Sequence, residues 1–590
     1  MDKKRLFAIL LAVVLILIIV IVVAVVVINK DDDDDDDNSS NSWNKADFYK
    51  EYSKAAVATD RKECSKIGKK ILADNGTVVD ASVASLFCIG LLNMHSTGIG
   101  GGGFMNVYIR STKKSIIYDF RETAPAASTQ EMFKPKNASS VIGGLSIAIP
   151  GNIKGLHHVW KAHGKLEWKK LIEPTIKIAE EGFEISKDLG EKIARDISSK
   201  LNLSEGFKEL LQKPDGTWYK AGEKIKNEKL AKTLKIIADK PEDFYTGELA
   251  KEIVKDIQEA GGIITLDDLK NYAVAEREPL TTDINGMKFF MMPPPGGGAV
   301  VAMTLNILKG FDLSSNDITT NEKLIQTTHK IIEALKFAFA RRPLLGDPSF
   351  EQNVTRVLEA MLNQSFAETL RQKINMSGAY PDQTYYGGYY SQDQDPYGTT
   401  HVSILGKNGD AVATTDTINY GFGSGVRSTR NGIIYNNEMD DFSTPGLKNL
   451  WGYLPAEANY IKPGKRPLSS MSPSIVTNAD GDVIMVAGAS GGSRIITATA
   501  LTLIRKLFLG MDLDKAISEY RIHTHLLPYE VYVNKQFKIS DALIDGLKKL
   551  NHKIVESSNW AAVQSVYRKN KDGIVEAVSD PRKGGIPDGY

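Results

Sequence analysis

Threonine hydroxyls are concentrated in residues 398–443, and their spacing suggests nucleophilic chemistry. Two β-branched segments, HVSIL and AVATTDTIN, flank an Asn-Gly turn. This pattern predicts a β-hairpin, because Asn-Gly tolerates the positive φ angles of a tight turn. Pairing of the two strands would bring Thr399, Thr415 and Thr417 together on one face of a sheet.

A threonine hydroxyl is a weak nucleophile unless a base lies beside it. One solution makes the threonine the first residue of a chain, so that its own α-amine, with a reference pKa of about 7.7–8.0, is the base. Scission of the Gly398–Thr399 bond would produce that state. Gly398 has no Cβ to obstruct the approach of the Thr399 hydroxyl to the preceding carbonyl. The alternative is that Gly-Thr-Thr is only a turn leading into a strand.

Strand and helix patterns alternate around this hairpin, which by itself predicts an α/β protein. Residues 55–110 are predicted to form a strand, two helices, a glycine-rich turn and a second strand. Residues 152–280 are mostly amphipathic and helical. Residues 378–397, rich in Tyr, Gly, Asp and Gln, are predicted to be an accessible, loosely held linker immediately before the proposed cut.

Charged and hydroxyl groups cluster at other points of the chain. Residues 436–441 place three acids within four residues, without the regular alternation and glycine of a calcium loop. Arg121 follows a predicted strand, and arginine suits a carboxylate through two parallel hydrogen bonds. Ser469 and Ser470 form a serine pair. Taken singly, these features are also typical of a solvated surface, a surface salt bridge and a turn.

The segment Gly488-Ala489-Ser490-Gly491-Gly492 matches G-x-S-x-G between a predicted strand and a predicted helix. An α/β-hydrolase would use Ser490 as nucleophile, and the remaining members of its triad would be drawn from Asp512, Asp541, His525 and His552. Only 100 residues remain after this motif to complete such a fold. The serine-esterase hypothesis also leaves the threonine hairpin, the acidic cluster and Arg121 unexplained.

Six motifs in one order resemble the γ-glutamyltransferase (glutathione hydrolase) family of N-terminal nucleophile hydrolases. The resemblance covers roughly residues 55–590 and rests on these segments: CSKIGKKILADNGTVVDASVASLFCIGLLNMHSTGIGGGGF, FRETAP, TTHVSILGKNGDAVATTDTINYGFGSG, NNEMDDFS, RPLSSMSPSIV and GASGG. It implies a four-layer αββα sandwich with two packed antiparallel sheets. It also implies that the precursor cleaves itself into a large subunit (46–398) and a small catalytic subunit (399–590) that stay together as a heterodimer.

The resemblance assigns an activity and roles to single residues. Thr399 would attack the γ-carbonyl of glutathione or its conjugates, with transfer of the glutamyl group to water, an amino acid or a dipeptide. Thr417 would orient the nucleophile, and Gly491 and Gly492 would form the oxyanion hole. The substrate's α-carboxylate and α-ammonium would be bound by the following residues: Arg121, Ser469 and Ser470 for the carboxylate, and Asn419, Glu438 and Asp441 for the ammonium.

The two cysteines are Cys64 and Cys88. The family resemblance favours a disulfide between them, and the alternative is a pair of buried free thiols. Neither the cysteines nor the nine histidines show zinc-ligand spacing, so the sequence predicts no metal and no cofactor. The net charge of +1 gives no reason to expect nucleic-acid binding.

Residues 6–28 are 23 consecutive apolar residues, enough to span a hydrocarbon core of about 30 Å. Basic residues precede them and seven aspartates follow, which predicts a cytoplasmic tail (1–5), an anchor (6–29) and an acidic, polar stalk (30–45). The expected location is therefore the plasma membrane, type II, with the catalytic part extracellular. Sequons permit glycosylation at Asn38, Asn75, Asn137, Asn202, Asn353, Asn363 and Asn375. A non-enzymatic membrane ectodomain with the same fold is the second alternative.

Overall fold

The computed structural model describes residues 43–135, 138–388, 398–447, 455–534, 537, 539–558 and 560–590. Residues 44–590 form one compact unit. The predicted tail, the anchor and nearly all of the stalk lie outside the described residues. Within the described part of the chain, no helix has both the length and the apolar composition needed to cross a bilayer.

The described residues contain the following strands: β1 (Tyr49–Tyr52), β2 (Ala56–Ala58), β3 (Gly102–Ile109), β4 (Lys114–Asp119), β5 (Phe183–Glu184), β6 (Lys224–Ile225), β7 (Ala275–Arg277), β8 (Leu280–Ile284), β9 (Met287–Met291), β10 (Thr400–Leu405), β11 (Ala411–Thr417), β12 (Ser474–Thr477), β13 (Val483–Ser490), β14 (Ile522–His523), β15 (Val531–Asn534), β16 (Ile554–Ser557), β17 (Ala562–Arg568), β18 (Val575–Ser579) and β19 (Asp588–Gly589).

The α-helices are α1 (Lys62–Ala73), α2 (Val78–Leu92), α3 (Asn152–His163), α4 (Trp168–Glu181), α5 (Lys187–Asp196), α6 (Glu205–Leu211), α7 (Glu228–Asp239), α8 (Asp243–Thr246), α9 (Glu248–Glu259), α10 (Leu266–Asn271), α11 (Gly298–Lys309), α12 (Asn321–Phe339), α13 (Asn353–Leu362), α14 (Gln364–Lys373), α15 (Arg494–Leu503), α16 (Leu513–Ser518) and α17 (Asp541–Lys549).

Two seven-stranded sheets form the centre of the molecule, in the orders β1-β18-β17-β13-β12-β9-β8 and β19-β2-β10-β11-β3-β4-β7. Neighbouring strands in both sheets are antiparallel. Buried side chains from both sheets pack face to face, among them Leu405 and Ala413 against Val486 and Val566. The hairpin β10–β11 therefore lies at the middle of one sheet.

Helices cover the outer faces of both sheets. Helix α2 packs on β10 and β11, and α11 and α15 pack on the other sheet. Helix α2 is apolar nearly all round, which is typical of a helix buried on every side. It starts at a capping box in which Thr77 and Asp80 exchange hydrogen bonds. The four layers are helix, sheet, sheet and helix, so the mixed α/β fold is confirmed.

The disulfide between Cys64 of α1 and Cys88 of α2 is present, as the resemblance predicted. Four sequon asparagines have exposed side chains: Asn75, Asn202, Asn353 and Asn363. Asn375 is half-buried, whereas Asn38 and Asn137 lie outside the described residues.

The linker prediction is wrong for part of 378–397. Residues 383–386 form a short helical turn, and Tyr386 is only 1% exposed. The polar composition suggested solvent exposure, but the Tyr386 hydroxyl binds a buried carboxylate, which allows its ring to be inside. Residues 389–397 lie outside the described residues.

Candidate functional site

The predicted hairpin is present, with Thr400 opposite Asp416 and His401 opposite Thr415. This register places Thr399 opposite Thr417, and their hydroxyl oxygens are 3.1 Å apart. The Thr415 hydroxyl is instead 2.8 Å from Nδ1 of His401. Two of the three threonines therefore meet, and the third pairs with the neighbouring histidine on the same face.

The Gly398–Thr399 peptide is held from both sides. The Gly398 N–H donates to the Asn419 carbonyl at 2.9 Å, and the Thr399 N–H donates to the Ser96 carbonyl at 2.9 Å. Thr399 has φ +111°, which a β-branched residue rarely adopts and which costs about 1–3 kcal/mol. A Cβ at Gly398 would lie 2.1 Å from the Asn419 carbonyl oxygen, so only glycine fits there. Strain is thus concentrated at the proposed scission point.

A lysine and an aspartate support the start of β10, and the sequence did not reveal them. Lys583 Nζ donates to the Thr399 carbonyl oxygen at 2.5 Å and to Asp60 Oδ2 at 2.8 Å. Asp60 also accepts from the Thr400 hydroxyl and from the Gln564 amide, each at 2.6 Å. Asp60 is fully buried, so the lysine neutralises a carboxylate that would otherwise be costly to bury. This pair fixes the main chain beside Thr399, the predicted nucleophile.

Arg121 lies between two acids of the cluster at 436–441. Its Nη1 donates to Glu438 and its Nη2 to Asp441, and its Nε donates to the Pro467 carbonyl at 2.9 Å. Burial raises the pKa of both carboxyls, whereas the Arg121 charge opposes that rise. The residues predicted to bind opposite ends of a zwitterion are therefore paired with each other in this structure.

Glu122 is a further buried acid beside this group. Neither of its carboxyl oxygens has a hydrogen-bond partner among the described residues, and Oε2 is 4.0 Å from Arg121 Nη1. Burial raises the pKa of Glu122 well above its usual value, and the charge of Glu438 raises it further. Burial and the neighbouring carboxylate therefore both oppose a further negative charge in this group of acids.

A cavity of about 50 Å³ joins the threonine pair to the charged cluster. Arg121 and the two acids bonded to it line one side of this cavity. The predicted residues that line the cavity are Arg121, Thr399, Thr417, Asn419, Glu438, Asp441, Ser469, Ser470 and Gly492.

The two serines make different contacts. Ser469 Oγ accepts from the Met471 N–H at 3.2 Å. Ser470 Oγ accepts from Arg342 Nη2 at 2.9 Å. Arg342 also lines the cavity, so the site contains a second arginine that no sequence motif indicated. The part of the cavity lined by Arg121, Ser469 and Ser470 therefore contains one more arginine than the sequence predicted.

Gly491 and Gly492 form the turn between β13 and α15, with φ angles of +124° and +60°. A Cβ at Gly491 would lie 2.6 Å from the Ala561 Cα. Gly492 lines the cavity, and Gly491 is the residue before it in the chain. The turn ends at the N-terminus of a helix, where main-chain N–H groups are available to an anion.

The surroundings of Ser490 do not match an α/β-hydrolase. Ser490 ends β13, and both neighbours of that strand are antiparallel, whereas the hydrolase fold needs a mostly parallel sheet. His525 is hydrogen-bonded to His523, and His552 to His329. The serine-esterase alternative is therefore rejected on fold and on histidine placement.

Comparison with known proteins agrees with this geometry. The family described as gamma-glutamyltranspeptidase matches residues 64–590. "Glutathione hydrolase 2" of Arabidopsis thaliana is 41% identical over 554 residues, covering 91% of this chain and 93% of its own length. "Scoloptoxin SSD14" of Scolopendra dehaani is 40% identical over 541 residues, covering 91% and 92%.

Among solved structures, a cephalosporin acylase from Bacillus halodurans superposes with a TM-score of 0.78. It covers 95% of this chain and 99% of its own, at 24% sequence identity, and so supports the fold alone. The family match extends over nearly the whole described unit, and the relatives are covered almost end to end. The chain is an enzyme of the γ-glutamyltranspeptidase family.

Proposed function

We propose that this enzyme hydrolyses the γ-glutamyl bond of glutathione and its conjugates, or transfers the glutamyl group, through Thr399. The observation that carries the proposal is the 3.1 Å contact between the Thr399 and Thr417 hydroxyls at the edge of a cavity with paired arginine and carboxylates. Relatives named glutathione hydrolase support the choice of donor.

Maturation comes first in this proposal. The Thr399 hydroxyl attacks the Gly398 carbonyl, the acyl group moves from nitrogen to oxygen, and water hydrolyses the ester. The products are chains of 398 and 192 residues that remain together as a heterodimer. The strained φ of Thr399 favours the reaction, since scission releases that constraint.

The free α-amine of Thr399 then acts as the base for its own hydroxyl. The hydroxyl attacks the γ-carbonyl, and N–H groups of Gly491 and Gly492 stabilise the tetrahedral oxyanion. The proton taken up by the amine passes to the departing nitrogen of the leaving group. Water or an acceptor amine then attacks the acyl-enzyme, which returns the Thr399 hydroxyl.

Recognition of the glutamyl head follows from charge. The α-carboxylate takes the place of Glu438 and Asp441 on Arg121, with Ser469 and Ser470 as further donors. The released acids then accept from the α-ammonium, together with the Asn419 side chain. Binding thus exchanges one set of buried ion pairs for another, so no charge is left unpaired.

Three measurements test this proposal. Amino-terminal sequencing of the smaller chain should give Thr-Thr-His-Val, and Thr399→Ala should remain a single chain without turnover of a γ-glutamyl anilide. The double variant Glu438→Gln/Asp441→Asn should process normally and raise KM for that anilide strongly. An intact wild-type chain that still turns over the anilide would disprove the threonine mechanism.

We also propose that residues 6–29 anchor the enzyme in the plasma membrane, with the catalytic part extracellular. The apolar length, the basic residues before it and the aspartates after it support this. In intact cells, an added protease should reach residues 44–590 but not an epitope placed before Lys3. Release of the wild-type protein by carbonate washing would contradict the anchor.

A further inference from the structure

A buried chain of hydrogen bonds lies on one face of helix α12, at residues that the proposed mechanism does not use. Three of its side chains occupy positions i, i+4 and i+7 of the helix, and all are at most 1% exposed. They face Tyr386, from the turn before the proposed cut, and a histidine just after α17. We call the following five residues the α12 network: His329, Glu333, Lys336, Tyr386 and His552.

The direction of each hydrogen bond in the α12 network follows from one main-chain acceptor. His329 Nε2 lies 3.0 Å from the Asn375 carbonyl oxygen, so Nε2 carries the proton and Nδ1 accepts. His552 Nε2, 2.8 Å from that Nδ1, must then donate. His552 Nδ1 is left to accept from Lys336 Nζ at 3.4 Å. Burial lowers the pKa of both histidines, so the neutral form is favoured, and these contacts then hold each ring in one tautomer.

The charges of the network balance locally. Lys336 Nζ donates to Glu333 Oε1 at 3.1 Å, and the Tyr386 hydroxyl donates to Glu333 Oε2 at 2.8 Å. Ligand atoms of His329, Glu333 and His552 lie within 4.8 Å of one another, as in a metal site. The lysine ammonium already supplies the positive charge there, and the ring nitrogens are engaged in hydrogen bonds. The network is therefore a structural connection rather than a metal site.

The α12 network crosses the proposed cut. His552 follows Thr399 in the sequence, and the other four residues precede it. Two further contacts cross in the same place: the Ala379 N–H donates to the Leu550 carbonyl at 2.8 Å, and Lys336 Nζ lies 4.3 Å from the centre of the Tyr529 ring. Before scission these contacts are within one chain, and after it they join two.

We propose that the α12 network joins the two chains after cleavage: Tyr386 fixes residues 379–388 of the large chain on α12, and α12 is bonded in turn to His552 of the small chain. This inference rests on the proposed function, because it requires scission at Gly398. Tyr386 is the anchor: it lies twelve residues before the cut and inserts its hydroxyl onto Glu333. Glu333 accepts from Lys336, and Lys336 in turn donates to His552.

The test compares two neighbouring tyrosines in the processed enzyme. In Tyr386→Phe, Glu333 loses a donor in a buried site, so we expect the chains to separate about 10- to 100-fold faster in moderate urea. Hydrogen exchange in 379–388 should accelerate as well. Tyr385→Phe is the matched control, since its hydroxyl donates to the Lys373 carbonyl, which is outside the α12 network. The undissociated Tyr386→Phe enzyme should turn over a γ-glutamyl anilide at the wild-type rate.

A second variant approaches the interface from the small chain. His552→Leu should also accelerate separation, and its effect should be less than additive with Tyr386→Phe, since both act through Glu333 and Lys336. Equal separation rates for Tyr386→Phe, Tyr385→Phe and wild type would overturn the inference and leave the proposed function intact. A wild-type chain that never divides would instead refute the proposed function, and the interface with it.

Discussion

Replacement of Lys583 by methionine tests how the main chain beside Thr399 is held. Methionine keeps the unbranched length but removes the charge and the three donors. The substitution breaks the 2.5 Å hydrogen bond to the Thr399 carbonyl oxygen and the 2.8 Å bond to Asp60. Asp60 is then buried with neutral donors only, from Thr400 and Gln564.

The expected magnitudes follow from these two hydrogen bonds. A hydrogen bond to a charged group contributes about 1.5–3 kcal/mol, which corresponds to roughly 10- to 100-fold in a rate constant. A displacement of about 1 Å at a nucleophile has a similar effect. We therefore expect kcat/KM of Lys583→Met to fall about 10- to 100-fold, with most of the loss in kcat. Breaking the buried pair should also lower the free energy of unfolding by about 3 kcal/mol, because Asp60 loses its counter-charge.

The assay is steady-state turnover of a γ-glutamyl anilide per mole of processed chain, with processing followed on a denaturing gel. Lys571→Met is the control, since that lysine is exposed. The double variant Asp60→Asn/Lys583→Met removes both charges, so stability should return while kcat stays low. If Lys583→Met keeps kcat/KM within about twofold of wild type, the Lys583 contact does not position Thr399.

Three further predictions concern other parts of the unit. Gly491→Ala, at φ +124°, should lower kcat about 10²–10³-fold. The control Gly222→Ala, at φ +85° with open space around it, should lower the free energy of unfolding by only about 1 kcal/mol. Equal kcat values for the two variants would argue against an oxyanion hole at Gly491 and Gly492. Removing the Cys64–Cys88 disulfide by alanine substitution should lower the free energy of unfolding by about 2–4 kcal/mol with kcat unchanged, and an unaltered urea midpoint would contradict this. Burial lowers the pKa of His401 to about 3, so below about pH 6.5 the unfolded chain binds a proton that the folded chain does not. The free energy of unfolding should therefore fall by about 2–3 kcal/mol from pH 6.5 to 4.5. In His401→Gln this contribution to the pH dependence of unfolding should be absent.

Local sequence was sufficient where one segment contains the whole signal. The Asn-Gly turn between β-branched runs predicted the hairpin, and its register brought Thr399 to Thr417. Helix α2 was predicted as the second of two helices within residues 55–110. The turn at 491–493 followed from glycines between a strand pattern and a helix pattern.

Contacts between distant segments left no such signal. Lys583 and Asp60 are 523 residues apart, and neither lies in a motif that indicates chemistry. Arg342 also lines the cavity, although it lies in a short helical turn that contains none of the recognised motifs. The burial of Tyr386 was also missed, because composition does not show that its hydroxyl can donate to the buried carboxylate of Glu333.

The sequence by itself determined the enzyme family, since six motifs occur in one order over roughly residues 55–590, and from that resemblance it predicted Thr399 as the nucleophile and Arg121 as a ligand of a carboxylate. Tertiary structure alone decided the state of the site: Arg121 is paired with the acids Glu438 and Asp441, and Lys583, near the C-terminal end of the chain, is bonded to the Thr399 carbonyl oxygen. The physical reason is that burying an unpaired charge is costly, so each buried charge is paired with an opposite charge nearby in the folded structure. Which residues are near in space does not follow from their order along the chain.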